Sequence, residues 1–226
     1  NDTLIYSDIL STQKGFTKQV SGAGDPAYSD HTTVPLKGGY SYLLQEVNES
    51  DVQVKDIIIY DVLEEAHEGV PHWQGTFLGL GTQQLEKLGI QVIPYYSTIP
   101  GLVLYDAADQ AGAAARRDIT NANIWSTTLP ADPSEVTAIA VDLRKMHNGE
   151  DFILPESGIL SLYIYMEAPL EDASGLVENN ILAYNRNIMA SSVKDTGQDH
   201  FSDIAVEAGN RVTVALKEPG IDLVKD

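Results

Sequence analysis

Three polar side chains stand where strand alternation calls for apolar ones. In Phe16-Thr17-Lys18-Gln19-Val20, Lys18 shares its phase with Phe16 and Val20. Asp61 shares the phase of Ile57, Ile59 and Leu63, and Asn185 that of Ile181 and Ala183. Strand side chains point alternately to opposite faces, so a lysine, an aspartate and an asparagine occupy inward slots on separate strands. Burying a lone ion is costly, so each must be paired or chemically altered. Two readings stay open at this point. One is a partly buried Lys18–Asp61 ion pair with an asparagine nearby. The other is a self-made amide. In a desolvated pocket a lysine pKa falls and an aspartate pKa rises. The neutral amine of Lys18 then attacks the carboxamide carbon of Asn185. A protonated Asp61 polarises that carbonyl and shuttles protons while ammonia leaves.

Such a trio needs strands to hold it, and strand signals are dense. Thr17–Ser21 alternates, Tyr40–Val47 is apolar-rich, and Val52–Leu63 centres on Ile57-Ile58-Ile59-Tyr60. Gln91–Tyr96, Gly101–Tyr105, Val136–Leu143, Ile159–Met166, Ile181–Ala190 and Arg211–Leu216 follow, separated by clusters such as Leu129-Pro130-Ala131-Asp132-Pro133 and His147-Asn148-Gly149-Glu150. Strands at this spacing indicate an all-β, immunoglobulin-like β-sandwich. Helix is scarce. Thr82–Leu88 reads as a short one, with Thr82 as N-cap and Gly89 as C-cap, and the Ala-rich stretch Ala107–Arg117 as a second. Residues about 64–135 are therefore expected to form an insertion with one or two short helices, or an elaborated sheet edge. A single module is expected over residues 1–218. Residues 219–226 restart an alternating pattern after Pro219-Gly220 and read as a linker or the start of a following module. The opening Asn1-Asp2-Thr3 is no signal peptide, and the chain reads as a piece of a longer one.

Composition narrows the function classes. The chain of 226 residues carries 14 basic against 33 acidic side chains, which argues against a nucleic-acid binder and against docking on an anionic bilayer. With no cysteine, disulfides, thiolate metal sites and cysteine nucleophiles are excluded. No apolar run approaches the ~18 residues of a membrane span, so no membrane insertion is expected.

Tyr40–Leu63, with Tyr-Ser-Tyr-Leu-Leu-Gln and Val-Lys-Asp-Ile-Ile-Ile-Tyr-Asp-Val-Leu-Glu, resembles the repeat modules of Gram-positive surface adhesins and pilins. So do Phe152–Gly158 running through Tyr165-Met166-Glu167-Ala168-Pro169, and the late strand Ala183-Tyr184-Asn185. The resemblance covers most of the chain but not Leu78–Ala131. In the collagen-adhesin A-type (CnaA-like) members it implies a cross-link between a first-strand Lys and a late-strand Asn, assisted by the Asp of an Asp-x-Leu strand. Lys18, Asn185 and Asp61 fit these places. Glu64 stands where the family pattern has proline. Asn179, Asn180 and Asn187 compete with Asn185 as acceptor; Asn179 shares its inward phase and Asn180 lies on the opposite one. The terminal Ile-x-Leu-x-Lys segment resembles the opening of a B-type (CnaB-like) module, in which Lys225 would serve its own cross-link.

Other constellations are weaker. His67 and His72 lack zinc-protease spacing, and Asp106, Asp109 and Glu64-Glu65 match no calcium loop, so neither metal nor cofactor is expected. No Gly-x-Ser-x-Gly occurs. Trp73 and Trp125 offer a sugar-stacking platform only if exposed; core positions are the commoner fate. Asn48-Glu49-Ser50 has the form of a glycosylation acceptor. The resemblance thus implies a structural module of an extracellular, cell-wall-attached surface protein, without enzymatic turnover, whose partners are neighbouring domains of the same protein. The alternative is an adhesin domain that holds a host glycan or matrix protein through the insertion around His67–Trp125. A more distant one is an accessory module of a carbohydrate-active enzyme.

Overall fold

The strand from Val54 to Glu65 shows why the chain needs cover on both sides. Ile57, Ile59, Asp61 and Leu63 are buried on one face, and Ile58 and Tyr60 are equally buried on the other. A strand apolar on both faces must sit inside a layered structure. The computed structural model describes residues 14–49, 51–65, 72–171, 177, 182–195 and 197–217. It is an all-β sandwich of two sheets with short helices.

The strands are β1 (Lys14–Gly22), β2 (His31–Pro35), β3 (Gly39–Asn48), β4 (Val54–Glu65), β5 (Thr76–Gly81), β6 (Ile90–Ser97), β7 (Ala138–Met146), β8 (Ile153–Leu154), β9 (Ile159–Glu167), β10 (Leu182–Val193) and β11 (Ala205–Lys217). The smaller sheet has the order β1-β3-β9-β5, and the larger runs β2-β11-β10-β4-β7-β6, with β8 beside β4. Neighbours pair antiparallel except β11 with β2. The main core lies between the sheets, where Val20, Leu44, Ile59, Val141, Leu162 and Val212 meet.

The stretch 64–135 supplies one edge strand of each sheet, β5 on one and β6 on the other. The residues after Ser97 leave the sheets. They return across the outer face of the larger sheet and build a second core there, in which Leu102, Leu104, Ile119 and Trp125 pack on Ile58 and Tyr60. Gly101–Tyr105, expected as a strand, belongs to this cover and is not a strand. Leu102 and Leu104 alternate inward as in a strand, but the segment has no ladder partner. Helix α1 (Gln83–Lys87) ends at Gly89, whose φ of 81° is the left-handed conformation that glycine adopts without strain. Thr82 precedes it without capping; its hydroxyl donates to Glu86 instead. Helix α2 (Gln110–Arg117) is capped by Asp109, which accepts from the Gly112 N–H at 2.9 Å.

Candidate cross-linking site

β1 belongs to the smaller sheet, while β4 and β10 are neighbours in the larger one. Facing side chains from these strands therefore meet in the space between the sheets. On β1 the inward residues are Phe16, Lys18 and Val20, as alternation requires. Lys18 Nζ contacts Asp61 Oδ2 and the Asn185 carboxamide oxygen, and all three residues are 0% exposed. The structure thus brings together the lysine, the aspartate and one of the competing asparagines.

The choice among the asparagines comes from register. Asp61 lies directly opposite Asn187 on β10, and Asn185 lies opposite the irregular end of β4. Asn187 is also buried, but its Nδ2 donates to the Thr17 carbonyl at 3.2 Å, so it holds β1 by the backbone. Asn179, Asn180 and Lys225, with residues 219–226, lie outside the described residues.

Two further side chains border the trio. The Lys18 amine stands 4.0 Å from the centre of the Tyr42 ring, which supports a cation–π contact in a fully buried setting. The Tyr42 hydroxyl donates to Glu64 Oε1 at 3.2 Å, and that of Tyr40 to the same oxygen at 2.5 Å. Glu64 Oε2 accepts the Gly75 N–H at 3.1 Å. Burial pushes the Glu64 carboxyl above its ordinary range, against the pull of Tyr40, Gly75, Tyr42 and the Lys18 charge. Burial, then the charges of Glu64 and Asp61, hold the Tyr42 hydroxyl well above its ordinary value of 10. The Asn185 carboxamide pulls the other way, its hydrogen bond to the Tyr42 hydroxyl lowering that pKa.

Tyr42 lies in the apolar-rich run Tyr40–Val47, whose consecutive Leu43 and Leu44 blur the phase that the structure shows. Glu64 was not visible as an inward residue, because Leu63 takes the inward phase before it. At Glu64 the backbone turns into the left-handed region, φ 46°, and consecutive residues both point inward. The only signal was the absence of the family's proline at that place.

The other sequence constellations dissolve. Trp73 and Trp125 are each 4% exposed and serve as core, which removes the stacking platform. Asn48 is buried, and its Nδ2 donates to the Val52 and Pro155 carbonyls, so it is no glycosylation acceptor. Asp109 caps α2, and Asp106 accepts the Ala108 N–H. Among the described residues no cluster of three metal-ligating side chains occurs; His72 is exposed and His67 lies outside them.

No family model and no curated protein matches the chain. Among solved structures it is similar to the major pilin subunit of Bacillus cereus, with 10% identity and a TM-score of 0.42. That match covers 90% of this chain and 40% of the subunit, so the chain spans well under half of its length. A protein that catalyses macrocyclization in alchivemycin A biosynthesis is similar at 11% identity and a TM-score of 0.33, over 92% of this chain and 93% of that one. A family 123 glycoside hydrolase from Clostridium perfringens is similar at 7% identity and a TM-score of 0.29, over 92% and 28%. Likenesses this remote leave the question of function to the chemistry of the site.

Proposed function

We propose that this chain is a structural module of a Gram-positive cell-surface adhesin or pilin-like protein, and that it joins Lys18 to Asn185 by an amide bond it makes itself. The observation that carries this reading is the contact of Lys18 Nζ with both Asp61 and the Asn185 carboxamide, where all three are 0% exposed.

In that space an ion pair loses its hydration, and moving one proton from the ammonium to the carboxylate leaves two neutral groups. The free amine of Lys18 attacks Asn185 Cγ, and the new Cγ–Nζ bond forms as the carbonyl electron pair moves onto Oδ1. Asp61 gives its proton to that oxygen and takes one from the attached nitrogen. When the carbonyl re-forms, the Cγ–Nδ2 bond breaks and Nδ2 departs as ammonia, having gained the proton from Oδ1. One amide replaces another, and Asp61 ends protonated, holding the second proton of the original ammonium.

The consequence is mechanical. The bond ties β1 to β10 and encloses a loop with a sequence separation of 167. Tension along the chain then passes through a covalent tie, and the loop between stays folded. A chain without cysteine has no disulfide route to this. The reaction happens once, within the molecule, so the module has no turnover. Pulling single molecules by their ends tests the reading. The wild type should extend by roughly 600 Å less than Asp61→Ala, the contour length of the closed loop. Equal extension of the two would remove the tie and the function with it.

A further inference from the structure

We infer that Asn210 is a positioning residue for the joining of Lys18 to Asn185, holding the nucleophile's strand against the sheet that carries the acceptor; the inference rests on the cross-linking reading above. β1 is an edge strand of its sheet, and on its far side the backbone bridges Val20 to Ser29 but meets no strand at Lys18. At Lys18 a side chain closes that edge. The Lys18 N–H donates to Asn210 Oδ1 at 2.6 Å, and Asn210 Nδ2 donates to the Lys18 carbonyl at 2.8 Å. A carboxamide offers a donor and an acceptor side by side. Asn210 thereby replaces a partner strand at a single residue, and that residue is the nucleophile.

A bulge delivers it. β10 and β11 pair Arg186 with Arg211 and Ile188 with Ala208, so Asn187 alone faces both Gly209 and Asn210. An extra residue of this kind re-aims a side chain out of the strand's alternation. Gly209 is the residue that fits, because a Cβ there would collide with Asn187 Oδ1. Asn187 in turn donates to the Thr17 carbonyl at 3.2 Å. Two carboxamides from β10 and β11 thus grip β1 at consecutive residues, and β10 is the strand that carries Asn185.

A lysine reaches its target through a long, flexible stem, so the place of its amine depends on where its backbone is held. Clamping that backbone removes sliding of β1 from the approach to Asn185, the kind of orientation that raises effective concentration. Asn210 therefore sets the rate of joining and not the identity of the product.

The full chain made by cell-free synthesis, with a short pulse of labelled amino acid, a chase and quenching in denaturant, reports the rate as ammonia lost from the intact mass over time. Asn210→Ala should reach the wild-type end mass roughly ten- to a hundredfold more slowly. Asn210→Gln, which keeps the carboxamide, should recover part of that rate. Arg211→Ala, which removes the neighbouring contact with the Tyr184 ring and leaves Lys18 alone, should keep the wild-type rate. An Asn210→Ala that keeps pace with the wild type overturns the role of Asn210 alone. So does equal slowing by Arg211→Ala, or a Gln variant no faster than the Ala one. A wild type that keeps its ammonia overturns the cross-link itself, and the role with it.

Discussion

Tyr60 and Asp61 are consecutive residues of β4, both buried, and they look into different interiors. Outside the larger sheet, Tyr60 donates to the Arg117 carbonyl at 2.8 Å and Trp125 Nε1 to the Arg116 carbonyl at 2.8 Å. Both acceptors are at the C-terminal end of α2, where helical carbonyls lack intrahelical partners. The Tyr60 hydroxyl and the Trp125 indole N–H thus each have a carbonyl partner, and the result is an anchor for the cover. Between the sheets, Asp61 meets an amine and a carboxamide away from the surface, beside a second buried acid, Glu64. Burial is common to the two regions. What separates them is that the outer anchor joins neutral dipoles to carbonyls, while an amine, a carboxyl and a carboxamide meet between the sheets.

Asp61→Ala should have the largest effect. Without the tie the unfolded chain regains the freedom of the enclosed loop, worth roughly 5 kcal/mol by analogy with disulfide loops. For a chain of this size that lowers Tm by about 10–20 °C, readable by calorimetry. Trp125→Ala should cost about 3–5 kcal/mol through the cavity it leaves in the outer core. The same variant should still lose one ammonia, because nothing on the outer face touches the trio; a Trp125→Ala protein that folds but does not cross-link would erase the contrast between the two interiors.

Glu64 sharpens the comparison through pH. Its folded pKa is raised above the ordinary 4.5, so its stabilising contribution is complete below that value and is lost as pH rises through the folded pKa. Wild-type stability relative to Glu64→Gln should therefore improve as pH falls from 7 toward 4.5, measured as the difference in Tm between the two. A flat difference would mean that the carboxyl between Tyr40 and Tyr42 is not strained by burial. Asp109→Ala should have the smallest effect, about 1 kcal/mol from loss of the α2 cap, with cross-linking unchanged.

The inward phase of Lys18, Asp61 and Asn185 was legible because alternation is a strict rule within an unbroken strand. The sandwich was legible for the same reason, from the β-branched and aromatic runs and the turns between them. Alternation could not separate Asn185 from Asn187, which share a face and differ only in what lies across the gap. It failed at Glu64 and at Asn210, because a left-handed residue in β4 and a bulge in β11 each reset the phase. It misread Gly101–Tyr105, where an alternating pair of leucines covers a sheet without joining one. Pairing partners depend on contacts distant in sequence, and no local pattern records them.

The central claim stands on a bond, and intact mass with peptide mapping reads it directly. The wild type should weigh less than its sequence by one ammonia, with the β1 peptide carrying Lys18 joined to the β10 peptide carrying Asn185. Asp61→Ala should restore the full mass. Ammonia lost with Lys18 joined to Asn179 or Asn180 would keep the chemistry and replace the acceptor. A wild-type mass equal to that of the sequence would contradict the account and leave Lys18 and Asp61 as a buried ion pair.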